Sequence, residues 1–197
     1  MKIVTLDGYL FFNSELLSNK PIFVEIGSFT GNNANKLTLD YTESKIIIYE
    51  ASKSNFNKLL KSTNNRIKLI NKAISNFIGY QQFYDYETPS SNSLYDRTKE
   101  GKKITETYKV NVINIEEVFK ENNLNKIDVL LLNCEGSERE ILKDILDKNL
   151  NIKQICLSFH PKIYEKNEIK ILLDKAYEKY KIIKGNEKYH YYLLIKK

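Results

Sequence analysis

Hydrophobic positions along this chain follow two alternating patterns: short unbroken apolar runs, and longer stretches in which apolar residues return every third or fourth place. Phe23-Val24-Glu25-Ile26, Ile46-Ile47-Ile48-Tyr49 and Val129-Leu130-Leu131-Leu132 carry almost no polar alternation, which suits strands buried on both faces. Strands are therefore predicted at about 22–26, 45–49, 66–70, 127–132, 152–159, 180–184 and 189–195. Helices are predicted at about 31–41, 52–62, 114–122, 137–148 and 166–179. In the helix near 137, Ser137 stands where a side chain can cap the amino end, and Glu138 and Glu140 occupy the first turn. Ile141, Leu142, Ile145 and Leu146 then form one apolar stripe.

Strands and helices that alternate through short connections imply a doubly wound, Rossmann-like α/β fold, here a seven-stranded, mostly parallel sheet with helices on both faces. Gly185-Asn186-Glu187-Lys188 reads as a hairpin turn, which makes the last strand antiparallel to its neighbours. From Phe77 to about Val112 an insertion separates the third and fourth core strands. It carries Tyr80, Phe83, Tyr84, Tyr86, Tyr95 and Tyr108 and the polar loop Thr88-Pro89-Ser90-Ser91-Asn92-Ser93. Extra strands are expected there, with a loop that either covers a pocket or is a disordered surface segment.

Composition adds bounds. With 197 residues, 42% hydrophobic, and only 3 prolines and 7 glycines, residues 1–197 are expected to form one globular domain. Met1-Lys2-Ile3-Val4-Thr5-Leu6-Asp7 lacks the apolar core of a signal peptide and no apolar run is long enough to span a bilayer, so a cytoplasmic location without membrane insertion is expected. Cys134 and Cys156 lie within apparent strands without zinc-type spacing and read as buried thiols. The net charge of +6 is concentrated between 162 and 197, with ten lysines against five acidic residues. No arginine cluster or RNA-binding signature accompanies them, so they read as a solvated face rather than a nucleic-acid surface. Self-association stays open.

Candidate chemistry gathers where strands end. Phe23 to Ile26 runs into Gly27-Ser28-Phe29-Thr30-Gly31, a turn tight enough for backbone to approach a ligand. Glu50 ends the next strand, at about the 20-residue separation from which a carboxylate reaches ribose hydroxyls. A dinucleotide fingerprint beginning at Gly27 would need glycines where Phe29 and Asn32 stand, and Gly-Lys-Ser/Thr is absent, so neither a pyrophosphate nor a triphosphate is provided for. An adenosine ligand without a phosphate chain remains. Asn133-Cys134-Glu135-Gly136-Ser137 ends the fourth core strand, where ligands sit in open α/β sheets. Glu135 there either orients a reactant or only offsets the helix dipole.

These segments together resemble the FkbM family of S-adenosylmethionine-dependent methyltransferases of class I. The resemblance is carried by Val24-Glu25-Ile26-Gly27-Ser28-Phe29-Thr30-Gly31, Tyr49-Glu50-Ala51-Ser52-Lys53-Ser54-Asn55-Phe56 and Asn71-Lys72-Ala73-Ile74-Ser75. It continues through Val112-Ile113-Asn114-Ile115-Glu116-Glu117, Lys126 to Glu138, and Leu157-Ser158-Phe159-His160, covering about residues 20 to 162. The reversed last strand is the methyltransferase variant of the fold. The family usually has an acid where Asn133 and Ser158 stand, and a small polar residue where Phe29 stands.

The resemblance implies an S-adenosylmethionine site made of Glu25, Gly27, Ser28, Phe29, Thr30, Gly31, Glu50, Ala51, Ala73 and Ile74, with Glu50 on the ribose and Ala73 and Ile74 against the adenine. It implies O-methylation of a hydroxyl on a small molecule or glycan, with His160 as base, Glu135 orienting it or the acceptor, and Asn133 hydrogen-bonding. An RNA methyltransferase, suggested by the basic carboxyl end, and a cofactor-binding protein without turnover, suggested by Asn133 and Ser158, are the alternatives.

Overall fold

The computed structural model describes residues 1–7, 10–163, 166–185 and 190–197. Its central sheet is built from β3 (Ile22–Ile26), β4 (Lys45–Tyr49), β5 (Ile67–Ile70), β9 (Ile127–Leu132), β10 (Ile152–Ser158), β11 (Tyr180–Lys184) and β12 (Tyr191–Lys196), in the order β11-β12-β10-β9-β3-β4-β5. All neighbours from β10 to β5 are parallel, and β12 runs antiparallel between β10 and β11. The seven predicted strands are therefore all present. The proposed hairpin residues Asn186, Glu187 and Lys188 lie outside the described residues, as does Tyr189 of the predicted last strand.

Alternate residues of each strand feed opposite faces, as pleating requires. Val24, Ile26, Ile47, Leu130 and Leu132 meet Val118 of α3 (Ile115–Glu121), Ile141 and Ile145 of α4 (Glu138–Lys148), and Leu172 of α5 (Lys166–Tyr177). Phe23, Ile46, Ile48, Val129 and Leu131 meet Ala34 and Leu37 of α1 (Asn32–Asp40) and Leu59 of α2 (Lys53–Ser62). The apolar runs without polar alternation are the strands covered on both sides.

The predicted insertion supplies β7 (Gly79–Tyr86) and most of β8 (Ile104–Asn114), and these join β6 (Ala73–Ser75), which precedes it in the chain, in a second sheet of order β6-β8-β7. Its order pairs β8 antiparallel with β7 and parallel with β6. A further pair, β1 (Ile3–Thr5) and β2 (Phe11–Asn13), is not among the predicted elements. It is pinned to β10 by Asn13 and Gln154: the Asn13 amide donates to Gln154 Oε1 at 2.8 Å and Gln154 Nε2 donates to the Asn13 carbonyl at 3.1 Å.

The start of α4 differs from expectation. Ser137 makes no capping side-chain bond, because its backbone is already helical, with φ −80° and ψ −1° rather than the extended geometry a cap needs. Glu138 instead braces the turn ahead of the helix, accepting the amides of Cys134 at 2.8 Å and Gly136 at 2.9 Å.

Candidate active site

The chain turns in opposite directions after β3 and after β9, so the loops leaving these neighbouring strands diverge and open a cleft of about 400 Å³ at their carboxyl ends. At Gly27 the backbone has φ +78°, and a Cβ there would press against the carbonyl oxygen of Asn133 and lie 2.9 Å from Cα of Cys134. Only glycine allows the two strand ends to come this close.

Every predicted cofactor residue except Gly31 lines this cleft. Gly31 lies behind it, where an added Cβ would stand 2.8 Å from Leu59 Cδ2, so this glycine serves the turn into α1 and its packing on α2. Glu25 is buried; its Oε2 accepts the Ser28 hydroxyl at 3.0 Å and its Oε1 accepts Asn33 Nδ2 at 3.1 Å. Burial pushes its carboxyl up to about 7, against the pull of those two bonds. Glu50, also buried, accepts the amides of Ser52 at 2.9 Å and Phe29 at 3.2 Å, and desolvation raises it as well. Phe29 holds a left-handed φ of 52° and is 40% exposed, an apolar ring at the cleft mouth on a strained backbone. Ala51, Ala73 and Ile74 supply the apolar wall, and Thr30 lies beside Phe29.

The second constellation sits on the turn after β9. Asn133 and Glu135 line the cleft, and Glu135 takes a left-handed φ of 57°. One oxygen of Glu135 pairs with Arg97 Nη1, and the other lies 3.1 Å from His160 Nε2. His160 Nδ1 is in turn 3.1 Å from Oε1 of the buried Glu138. Arg97, 7% exposed, also bonds Glu100 through Nε at 2.9 Å and Nη2 at 3.0 Å. The result is a partly buried row of alternating charge, Glu100, Arg97, Glu135, His160, Glu138.

This row changes the reading of His160. Burial alone would lower its pKa, but Glu138 and Glu135 outweigh burial and lift it to about 10. This raised pKa favours the cationic form of the ring, both of whose nitrogens are engaged, and His160 is not among the cleft-lining residues. Both engagements weigh against a proton-accepting role for it. Burial of Glu135 is likewise outweighed by His160 and Arg97, which hold its carboxyl below the usual range.

The structure adds residues to the predicted site. Arg97 reaches Glu135 from the insertion, across 38 positions of sequence. Pro89, Ser90, Ser91 and Asn92 of the polar loop line the cleft, as do Asp7 and Leu10 ahead of β2. Of the two readings of that loop, this lining favours the one that sets it at a pocket. Cys134 and Cys156 are free thiols, both raised by burial. Among the described residues no group of three or more His, Cys, Asp or Glu is arranged to hold a metal ion, and no helix is long and apolar enough to cross a membrane.

The family model described as Methyltransferase FkbM domain matches residues 22–182. Among solved structures, a fibrillarin/Nop5p complex is similar at 16% identity and a TM-score of 0.55, over 92% of this chain and 74% of that one. The fibrillarin pre-rRNA processing protein of Methanococcus jannaschii is similar at 12% identity and 0.55, over 99% and 82%. The METTL16 MTase domain is similar at 12% identity and 0.51, over 89% and 59%. At these identities the likeness is one of fold. No curated protein matches the sequence.

Proposed function

This chain belongs to the FkbM methyltransferase family, and from that premise we propose that it methylates a hydroxyl oxygen of a sugar, glycan or small metabolite. The observation that carries the reading is the Glu135 carboxylate, fixed between Arg97 and His160 on the same sheet edge as the Glu25 and Glu50 cleft. Residues 1–197 act in this reading as one domain, with the insertion forming part of its active site.

The cofactor is S-adenosylmethionine, and the cleft suits it. Its volume falls in the range of about 300–1,000 Å³ typical of small-molecule sites. It offers acceptors for an ammonium group and hydroxyls: the Glu25 and Glu50 carboxylates, and Asn33 Oδ1, a buried oxygen with no partner among the described residues. Glu50 holds the ribose, Glu25 with Asn33 holds the amino-acid end, and Ala51, Ala73 and Ile74 wall the adenine. Gly27 lets the backbone come close, and Phe29 shields the mouth from water.

Bound cofactor supplies a methyl group on a positively charged sulfur, open to in-line displacement. The chain's own task is to hold the acceptor oxygen in line and receive its proton. Asn133 hydrogen-bonds the acceptor, and Glu135 accepts the hydroxyl hydrogen. As the methyl–oxygen bond forms, that hydroxyl becomes strongly acidic, so a carboxylate held below its usual pKa still suffices to take the proton. His160, assigned the base role from the sequence, becomes in this reading the cation that keeps Glu135 ionised and oriented.

Part of the charge behind the RNA alternative stands away from the cleft. Lys126, Lys153, Lys196 and Lys197 surround a separate depression at the amino ends of β9 and β10, at the sheet edge opposite Glu135. Calorimetric titration with S-adenosylmethionine, followed by a panel of sugar and metabolite acceptors at increasing salt, tests the whole reading. Turnover on a hydroxyl acceptor supports it. Salt-sensitive RNA methylation replaces it with the RNA reading, and cofactor binding without any turnover replaces it with the degenerate one.

A further inference from the structure

Asn55 is the third residue of α2 and only 2% exposed, yet its side-chain amide is half used. Nδ2 donates to the Pro89 carbonyl at 3.2 Å, while the buried Oδ1 accepts from nothing among the described residues. The Pro89 carbonyl can only accept, so the amide cannot be turned over to exchange its nitrogen and oxygen; the insertion itself aims the oxygen. Asn55 lines the cleft. Its backbone amide is held by Ser52 Oγ at 3.3 Å, and the Ser52 amide by Glu50 Oε1 at 2.9 Å, which builds Asn55 and Glu50 into one turn. Three buried side-chain atoms are left unmet among the described residues, and two of them, Asn55 Oδ1 and Asn33 Oδ1, belong to residues of this cleft. An unmet buried acceptor is costly, and that cost is recovered when a ligand donates to it.

We propose that Asn55 accepts a hydrogen bond from the nucleoside part of the cofactor and is, beside Glu50, a second residue that selects it. This rests on the cofactor assignment above. The nucleoside offers two kinds of donor, the ribose hydroxyls and the exocyclic amino group of adenine, and a carbonyl oxygen suits either. Neither kind of donor competes for Nδ2, which stays on Pro89.

The test is calorimetric titration of the full chain with S-adenosylhomocysteine, its inosyl analogue, which lacks the amino group, and its 2′-deoxy and 3′-deoxy analogues. Wild-type protein is expected to bind at least one analogue about ten- to a hundredfold more weakly than the parent. Asn55→Leu, close in shape but without an acceptor, is expected to bind the parent more weakly by the same factor and to lose discrimination against that one analogue alone. Which analogue responds identifies the donor. If Asn55→Leu keeps every discrimination ratio, the proposal is overturned. If that variant has no cooperative melt without ligand, Asn55→Ser, whose shorter side chain falls short of the donor, takes its place. Wild-type protein that binds all four compounds equally overturns the proposal without any variant. No binding of the parent by wild-type protein fails the cofactor assignment itself, a result distinct from tight binding without discrimination.

Discussion

Two carboxylate pairs stand on the same sheet edge and are treated in opposite ways. Glu25 and Glu50 are buried with only neutral hydrogen-bond donors and no cation among the described residues, so both are raised. Glu135 and Glu138 share His160, Glu135 also pairs with Arg97, and the carboxyl of Glu135 is lowered. The first pair is left for a ligand to satisfy, and Glu135 of the second is held in its charged form by its two cations. A protein that recognises a cationic cofactor and also needs a fixed proton acceptor gains from separating these states.

The largest expected effect breaks the paired side. Arg97→Met strands Glu135 beside a single cation and releases Glu100, and removing one partner of a buried pair costs about 3–5 kcal/mol. Chemical denaturation is expected to show a loss of that order, and the surviving folded protein should lose kcat more than cofactor affinity. A loss below about 1 kcal/mol would mean that Arg97 is solvated and the row is not a unit.

Next comes the unpaired side. Glu50→Ala removes a charged acceptor from the ribose, and hydrogen bonds to charged groups contribute about 1.5–3 kcal/mol each, so cofactor affinity should fall about a hundredfold in calorimetry. Stability without ligand should change far less than in Arg97→Met, or even rise, since a desolvated carboxylate is removed. Equal losses in both variants would erase the distinction between the pairs.

Acidity sharpens the comparison further. Glu25 has a folded pKa of about 7, above its ordinary value of 4.5, so its contribution to stability is full below 4.5 and is lost as pH rises through 7. A cationic ligand reverses that trend: cofactor affinity is expected to rise with pH up to about 7, and Glu25→Gln to flatten the rise. His160 is also raised, from 6.5 to about 10, so its stabilisation is full below 6.5 and fades as pH climbs through 10. Urea midpoints measured across that window should slope downward in the wild type and lose the slope in His160→Gln. A His160 ring that titrates near 6.5 by NMR would restore it as a candidate base.

The fold was legible where residues speak locally. Ile46 to Tyr49 and Val129 to Leu132 announce buried strands because each face of the sheet has its own helices to meet, and Glu50 was legible because a strand end after a glycine turn leaves few places for a carboxylate to point. β1 and β2 were not, since three-residue strands show no period and their hold on Gln154 spans 141 positions. Arg97 and the charge of His160 were illegible for the same reason: Glu135 lies 38 positions beyond Arg97 and Glu138 lies 22 before His160, and no local pattern states such meetings.

The smallest effect separates the two readings of the turn that carries the paired carboxylates. Sequence favours Ser137 as the cap of α4, and a true serine cap is worth about 1 kcal/mol. In the structure Glu138 braces the turn just ahead of the helix, its carboxylate accepting the amides of Cys134 and Gly136 while also holding His160, and Ser137 makes no capping bond. Ser137→Ala should therefore leave stability within about 0.5 kcal/mol of wild type, whereas Glu138→Gln should lose several times that. The glutamine keeps one acceptor oxygen but cannot satisfy two amides and an imidazolium together. A Ser137→Ala loss near 1 kcal/mol would show the hydroxyl capping after all. The helix start and the charged row would then be independent parts rather than one.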